Sequence, residues 1–330
     1  MPNESSTAQN HMKVGYFLSC EEHPPEELVR QARLAADAGF EGLWISDHYH
    51  PWNHQQGQSP FVWSVIGAVA EVCDLPVMTA VTCPTMRIHP AVIAQAAATS
   101  ARLCTGGFRL GVGSGEALNE HVTGSRWPTA DVRLEMLEEA VEVIRMLLTG
   151  ERVTHHGRHY TVEDARIFTL PDRPLDILVS AFGPEAVALA ARIGDGFVTA
   201  QPDAEGLASY REQGGRGPAT AGAKACYGPD REKAQELAHR LWPNTGLPGE
   251  LAQVLPSPAH FEQASELVTP EMIGETTPCG PDLDEHVEKL SANVDAGFDE
   301  LYVAQIGPDQ EEFFEAYAST VLPALRRSAT

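Results

Sequence analysis

No CxxC pair occurs among the six cysteines, Cys20, Cys73, Cys83, Cys104, Cys226 and Cys279, and their density is far below that of a secreted disulfide scaffold. A reduced, cytoplasmic compartment is the expectation. No apolar run approaches the ~18 residues that cross a bilayer. Residues 1–12 lack both the apolar core of a signal peptide and the Arg-rich pattern of a transit peptide, and read as a loose tail. Positive charge is scarce: 23 Lys plus Arg against 46 Asp plus Glu leave a formal charge of −23. Such a surface repels phosphate backbones and anionic lipid, which sets nucleic acid and membranes aside as partners. What is present is a core-forming composition, 43% hydrophobic and 21% charged over 330 residues. That length suits one large α/β barrel or two ordinary domains.

From Lys13 onward short apolar runs alternate with helical patterns. Strands are expected at 14–18, 42–45, 77–81 and 108–112, with helices at 25–38, 61–72, 90–103 and 133–148. Pro25 and Pro90 open their helices, as proline does in a first turn. A hairpin is expected near 151–169, where Val153, Val162 and Ile167 stand among polar residues around His156-Gly157. The alternation resumes with strands at 177–180, 196–199, 222–226 and 301–304. Helices follow from Pro184, near Gly206, over 231–241 and over roughly 310–325. The count is eight βα units, the arithmetic of a closed (β/α)8 TIM barrel over 13–330. A Pro- and Gly-rich excursion near 242–283 interrupts the last units. A two-domain doubly wound sheet would need a linker, and none stands out.

Catalytic residues of such barrels sit at the carboxyl ends of the strands. There the sequence places Glu21 and Glu22, Asp47-His48 with Trp52, Thr82-Cys83-Pro84-Thr85, and Glu116 with Asn119. Histidine exchanges protons near neutral pH, so His48 beside carboxylates is a candidate general base. His48, His50 and His54 match no tight metal-ligand spacing, and no metal is expected. The Gly111-Val112-Gly113-Ser114-Gly115 run departs from the dinucleotide fingerprint, because Glu116 stands at its third glycine. Its glycines would let the backbone approach a flat ligand. Phe182-Gly183-Pro184, a glycine ahead of a helix, is the better anion site. Trp63 reads as core, Trp52 as a site residue, and the Glu135, Glu138, Glu139, Glu142 face as solvated.

Taken together, Gly15-Tyr16, Ser46-Asp47-His48 with His50-Pro51-Trp52, Cys83-Pro84-Thr85-Met86-Arg87 with His89-Pro90, and Gly113 to Glu120 resemble the luciferase-like deazaflavin oxidoreductases. The nearest group in this resemblance is the F-420-dependent glucose-6-phosphate dehydrogenases and their secondary-alcohol dehydrogenase relatives. The resemblance implies a bacterial luciferase-like (β/α)8 barrel, a homodimer, and the deazaflavin coenzyme F-420 lying across the strand ends. His48 would be the acid/base, Trp52 would pack over the reacting carbon, and Glu21 would be a second carboxylate near the substrate. Asp47 would contact the ring, and Glu116 would serve its edge with Asn119 beside it. Ala80-Val81 would form a non-prolyl cis peptide supporting the ring, next to Cys83, and Phe182-Gly183 would form the phosphate loop.

The implied activity is hydride transfer between F-420 and an alcohol or carbonyl compound, with the proton passing through His48. The same resemblance puts Asp203 and Thr276 at two positions where the sugar-phosphate enzymes carry basic residues. No Lys or Arg stands between Pro248 and Ser257. A carboxylate facing a phosphate dianion is repulsive by more than ~1 kcal/mol, so a small neutral substrate is expected in place of glucose 6-phosphate. An FMN-dependent monooxygenase on the same barrel and a non-catalytic deazaflavin-binding barrel are the alternatives.

Overall fold

The computed structural model describes residues 12–328. Eight parallel strands close a barrel: β1 (Lys13–Leu18), β2 (Leu43–Ile45), β3 (Val77–Thr79), β4 (Phe108–Val112), then β7 (Ile177–Ser180), β8 (Gly196–Thr199), β9 (Ala219–Ala225) and β10 (Glu300–Gln305), which pairs with β1. The antiparallel hairpin β5 (Val153–His156) and β6 (Thr161–Ala165) stands outside it. The expected (β/α)8 barrel is what forms. The tail reading covers residues 1–11, which lie outside the described residues. Met12 does not belong to a tail, because it is buried with the core.

The barrel is filled by Trp44, Met78, Leu178, Val198 and Tyr302, with Phe17, Ala80 and Val81 packed on them. Trp44 stacks on Tyr302 with centroids 4.7 Å apart. A second apolar layer lies between strands and helices. In α1 (Pro25–Asp37), Leu28, Ala32 and Ala35 are buried, one helical face four and three residues apart. The remaining helices of the first half are α2 (Val62–Ala70), α3 (Pro90–Leu103), the short α4 (Ala117–Glu120) and α5 (Ala130–Leu148).

The acidic face of α5 is more than a solvated surface. Glu139 accepts the backbone N–H of His159 at 2.9 Å and of Tyr160 at 2.8 Å, and Glu135 pairs with Arg158, so this face holds the hairpin. Glu139 thereby satisfies two backbone donors that a lone two-stranded ribbon leaves open.

The second half runs α6 (Pro184–Ile193), α7 (Ala204–Glu212) and α8 (Arg231–Leu241), then the excursion with α9 (Leu251–Val254), α10 (Pro258–Ala264) and α11 (Pro270–Thr276). The excursion has its own apolar cluster, including Trp242, Val268 and Ile273, with Trp52 packed on it. Sequence reasoning missed α12 (Leu283–Asp295), although its start is signalled by Asp282, whose side chain accepts from Asp284 N and Glu285 N. The final helix is not continuous: α13 (Gln310–Ala316) passes through a π-helical turn, Tyr317–Val321, into α14 (Leu322–Ser328). Pro323, one residue into α14, brings no backbone donor to that ladder.

Candidate active site

Because all eight strands run parallel, their carboxyl ends open on one face, and the loops leaving them share a mouth. Glu21 follows β1, Asp47 and His48 follow β2, Thr82 to Arg87 follow β3, and Glu116 to Glu120 follow β4. The β2 and β4 loops are tied directly. Asn119 Oδ1 accepts the backbone N–H of Tyr49 at 2.9 Å and of His50 at 3.1 Å, and His50 Nδ1 lies 3.0 Å from the Leu118 carbonyl. His48 and Glu116 therefore belong to the same rim.

His48 Nδ1 lies 3.5 Å from Glu21 Oε1, with only 10% of the histidine side chain and 3% of the glutamate side chain exposed. Ser46 Oγ donates to the other Glu21 oxygen at 2.7 Å and accepts Cys20 N at 2.9 Å, which fixes the carboxylate. Trp52 lies against the imidazole with ring centroids 5.0 Å apart, and its far side meets Phe261 of α10 at 5.0 Å. A histidine wedged between a fixed carboxylate and an indole can take up and release a proton without losing its place. The three histidines of this loop face different partners. His50 meets Leu118, and His54 pairs with Glu262 at 3.0 Å. Among the described residues no group of three or more His, Cys, Asp or Glu could hold a metal ion.

Arg87 knits the next part together. Its guanidinium Nη2 donates to Asp47 Oδ1 at 2.7 Å, its backbone N–H donates to Glu120 Oε2 at 2.8 Å, and Thr82 Oγ1 donates to Asp47 Oδ2. Burial pushes the Glu120 carboxyl up to about 7, with Arg87 pulling it down and Glu116 and Asp47 adding to the rise. Burial and the carboxylates of Glu116, Glu120 and Asp47 hold the Cys83 thiol well above its ordinary range, so it stays protonated beneath the rim. Glu116 itself is half-buried, and among the described residues nothing donates a hydrogen bond to its carboxylate.

The peptide Ala80-Val81 is cis and partly exposed to the mouth. Strand β3 stops at Thr79, two residues short of expectation, and pairing resumes only as an isolated bridge between Thr82 and Val112. The glycine run after β4 serves the chain's own packing. A Cβ at Gly111 would collide with the Thr79 carbonyl oxygen, one at Gly113 would stand 2.8 Å from Val81 Cγ2, and one at Gly115 2.9 Å from Glu120 Cγ. Those three positions make room for neighbouring strands and loops, a packing reason for glycine that stands beside the expected approach to a ligand. Gly183 differs: it leads into α6 at φ 83° and ψ 162°, and a Cβ there would meet no atom within 4 Å. That backbone conformation is essentially restricted to glycine. Phe182 beside it is 46% exposed.

Lys224 and Arg133 escaped sequence reasoning, and Trp242, which the sequence alone leaves between cofactor-facing and core, joins them at the mouth. Lys224 lies near the end of β9, where its ammonium sits 4.1 Å from the Trp242 ring centroid. Trp242 Nε1 donates to Glu22 Oε2 at 2.8 Å. Arg133 of α5 is buried over Trp127, 4.5 Å from its centroid, and donates to Gln253 Oε1 at 2.8 Å. It brings a cation to the Pro248 to Ser257 stretch that the sequence alone left without one. Charged residues close to a strand end, as Lys224 is, were the readable signal. Arg133 comes from a helix 120 residues away from Gln253, which local pattern could not show. Asp203, one of the two positions where basic residues are missing, caps α7 by accepting Gly206 N at 2.8 Å.

Residues 12–300 match the luciferase-like monooxygenase family. The chain is 36% identical to the F420-dependent glucose-6-phosphate dehydrogenase of Beutenbergia cavernae, covering 96% of this chain and 98% of that one. It is likewise 36% identical to the protein of that name from Mycobacterium tuberculosis, over 96% and 98%. Among solved structures, an F420-dependent secondary alcohol dehydrogenase in complex with an F420-acetone adduct superposes with a TM-score of 0.88 at 30% identity, covering 96% of this chain and 99% of that chain. With a family model spanning most of its length and relatives this similar end to end, the chain belongs to the luciferase-like family, in its F420-dependent oxidoreductase branch.

Proposed function

We propose that this protein is an F-420-dependent oxidoreductase that moves a hydride between the coenzyme and a small neutral alcohol, ketone or enone. The single observation that carries the reading is the seating of His48 between Glu21 and Trp52, on the rim that also carries Glu116 and Asn119. The residues fit the coenzyme by a further test. Buried polar atoms without a hydrogen-bond partner include Asn119 Nδ2, Thr85 Oγ1 and Ser19 Oγ beside this rim. Unpaired buried polar groups are costly, and concentrated in one place they mark where a polar ligand belongs.

In this reading Asp47, Asn119, Glu116 and the Ala80-Val81 peptide, with Cys83 behind them, hold the ring. Phe182-Gly183 at the start of α6 receives the phosphate. F-420, when bound, supplies a two-electron hydride acceptor or donor. His48 holds the proton of the substrate oxygen, Glu21 keeps the imidazole oriented and balances its charge, and Trp52 with Phe261 keeps water from the reacting carbon.

The five carboxylates Glu21, Glu22, Asp47, Glu116 and Glu120 outnumber the three cations of the mouth, Lys224, Arg133 and Arg87, the last already engaged by two of them. That balance favours a neutral substrate over a sugar phosphate. The test is a quenching titration with F-420, followed by coenzyme turnover with 2-propanol, acetone and glucose 6-phosphate. Turnover of glucose 6-phosphate ahead of the other two would overturn the substrate class.

The reading extends to a homodimer. Phe61, Val92 and Leu103, 55%, 55% and 43% exposed, line an apolar groove across α2 and α3 with Trp63 and Ala96. A surface of this kind is commonly covered by a partner. It also extends to one domain over 13–330 in the cytoplasm, for which the closed barrel and six free, buried cysteines speak.

A further inference from the structure

The chain has only four lysines. Lys13 pairs with Glu300 at 3.6 Å, Lys233 with Asp230 at 3.7 Å and Lys289 with Glu285 at 2.6 Å. Lys224 is the exception: among the described residues it has no ion pair within reach. The two carboxylates close enough to act on it are Glu21 and Glu22, and both are committed elsewhere. Glu21 takes Ser46 Oγ and faces His48. Glu22 takes Trp242 Nε1 on one oxygen and Gly307 N on the other.

Strand alternation sets where Lys224 points. Gly222 abuts Trp44 inside the barrel, so Lys224, two residues on, faces the same interior. Its ammonium lies 5.5 Å from the centroid of Phe17, an inner residue, and 4.1 Å from that of Trp242. The residue is partly exposed, and its nitrogen is not among the buried atoms lacking a partner. With no hydrogen bond to any described residue, its ammonium reaches solvent backed by an indole and flanked by two fixed carboxylates. An ammonium desolvated in this way gains most from an oxygen acceptor supplied from outside.

Following the barrel from β9 through β10 and β1 to β2, Lys224 and His48 stand on opposite sides of Glu21. One small oxygen at His48 would leave Lys224 unused. We propose that Lys224 is a specificity-determining substrate contact that donates to a second oxygen, so that the preferred substrate is a neutral compound carrying a further oxygen besides the reacting one, of which a 1,2-diol or an α-hydroxy ketone is the smallest case. This rests on the F-420-dependent alcohol reading above and narrows it. In the oxidation of a diol, the C–H electron pair leaves as hydride to the deazaflavin and the hydroxyl proton goes to His48. The neighbouring hydroxyl stays bound to Lys224 throughout.

The test compares propane-1,2-diol with 2-propanol in the F-420-loaded protein. The wild type is expected to prefer the diol in kcat/KM. Lys224→Met should lower kcat/KM for the diol by about 10- to 100-fold, mainly through KM, and by about tenfold more than for 2-propanol. Lys224→Arg should recover part of the loss, and F-420 affinity should stay within about threefold of wild type. A second readout needs no turnover: in the wild type loaded with F-420, the diol should slow acetylation of Lys224 by acetic anhydride, followed by mass spectrometry.

Equal losses for the two alcohols, or none, would overturn the role of Lys224 and leave the function standing. Failure of the wild type to bind F-420, or to oxidise either alcohol, would overturn the function and the contact together. Should the methionine variant not fold, Lys224→Leu takes its place, and an unchanged diol-to-alcohol ratio in it also overturns the contact.

Discussion

At the scale of single residues, the site depends on groups whose partners are other parts of the protein. His48 is held by Glu21, which is held by Ser46. His48→Ala is expected to lower turnover by about 10²–10⁴-fold, the usual worth of a positioned acid/base, with F-420 affinity changed by no more than about threefold. Turnover that survives the substitution would remove His48 from the proton path. Glu120 gives a second residue-scale prediction. Its carboxyl, raised by burial to about 7 from an ordinary 4.5, favours the protonated form in the fold. Its contribution to stability is therefore complete below pH 4.5 and is lost as pH rises through 7. Glu120→Gln is always neutral and can still accept the Arg87 N–H. The melting temperature of this variant should gain on the wild type between pH 4.5 and 8, read by thermal denaturation across that range. Parallel curves would mean that Glu120 is ionised throughout.

At the scale of elements, the loop entering α6 carries the proposed phosphate contact through a backbone conformation that a side chain resists. Gly183→Glu should weaken F-420 at least about tenfold by quenching titration, adding strain and a like charge at once, while Gly183→Ala should cost less. Equal affinities in the two variants and the wild type would place the phosphate elsewhere.

Elements also mark how far the sequence could be read. The eight barrel strands were legible because each is a short apolar run followed by a helical period, and the site loops were found simply by reading past strand ends. Helix α12 was not found, since the Pro- and Gly-rich excursion before it masked the return of the period. The packing need for glycine at positions 111, 113 and 115 was not legible, because the atoms next to Gly111, Gly113 and Gly115 come from β3 and from Val81 and Glu120, which no local pattern reveals. Arg87 and Glu120 stood inside recognisable motifs, yet their bridge to Asp47 depends on three loops meeting. Lys224 carries a readable signal, a charge close to a strand end, but its lack of an ion-pair partner depends on where Glu21 and Glu22 are committed, which no local pattern shows.

At the scale of the whole molecule, an acidic chain of 330 residues arranges its strands so that loops from β1, β2, β3, β4, β7 and β9 converge on one opening. The apolar groove over α2 and α3 is the surface on which the proposed dimer rests. Replacing both Val92 and Leu103 with Glu should convert a dimer to a monomer in sedimentation velocity, with the melting curve largely retained. A wild type that sediments as a monomer would contradict the dimer. The central claim is that the mouth binds a deazaflavin beside His48. It is tested most directly by titrating the protein with F-420 while following the fluorescence of its tryptophans, Trp52 and Trp242 among them. Saturable quenching at one coenzyme per chain, with FMN far weaker, is the predicted result; saturation by FMN with no response to F-420 would contradict it.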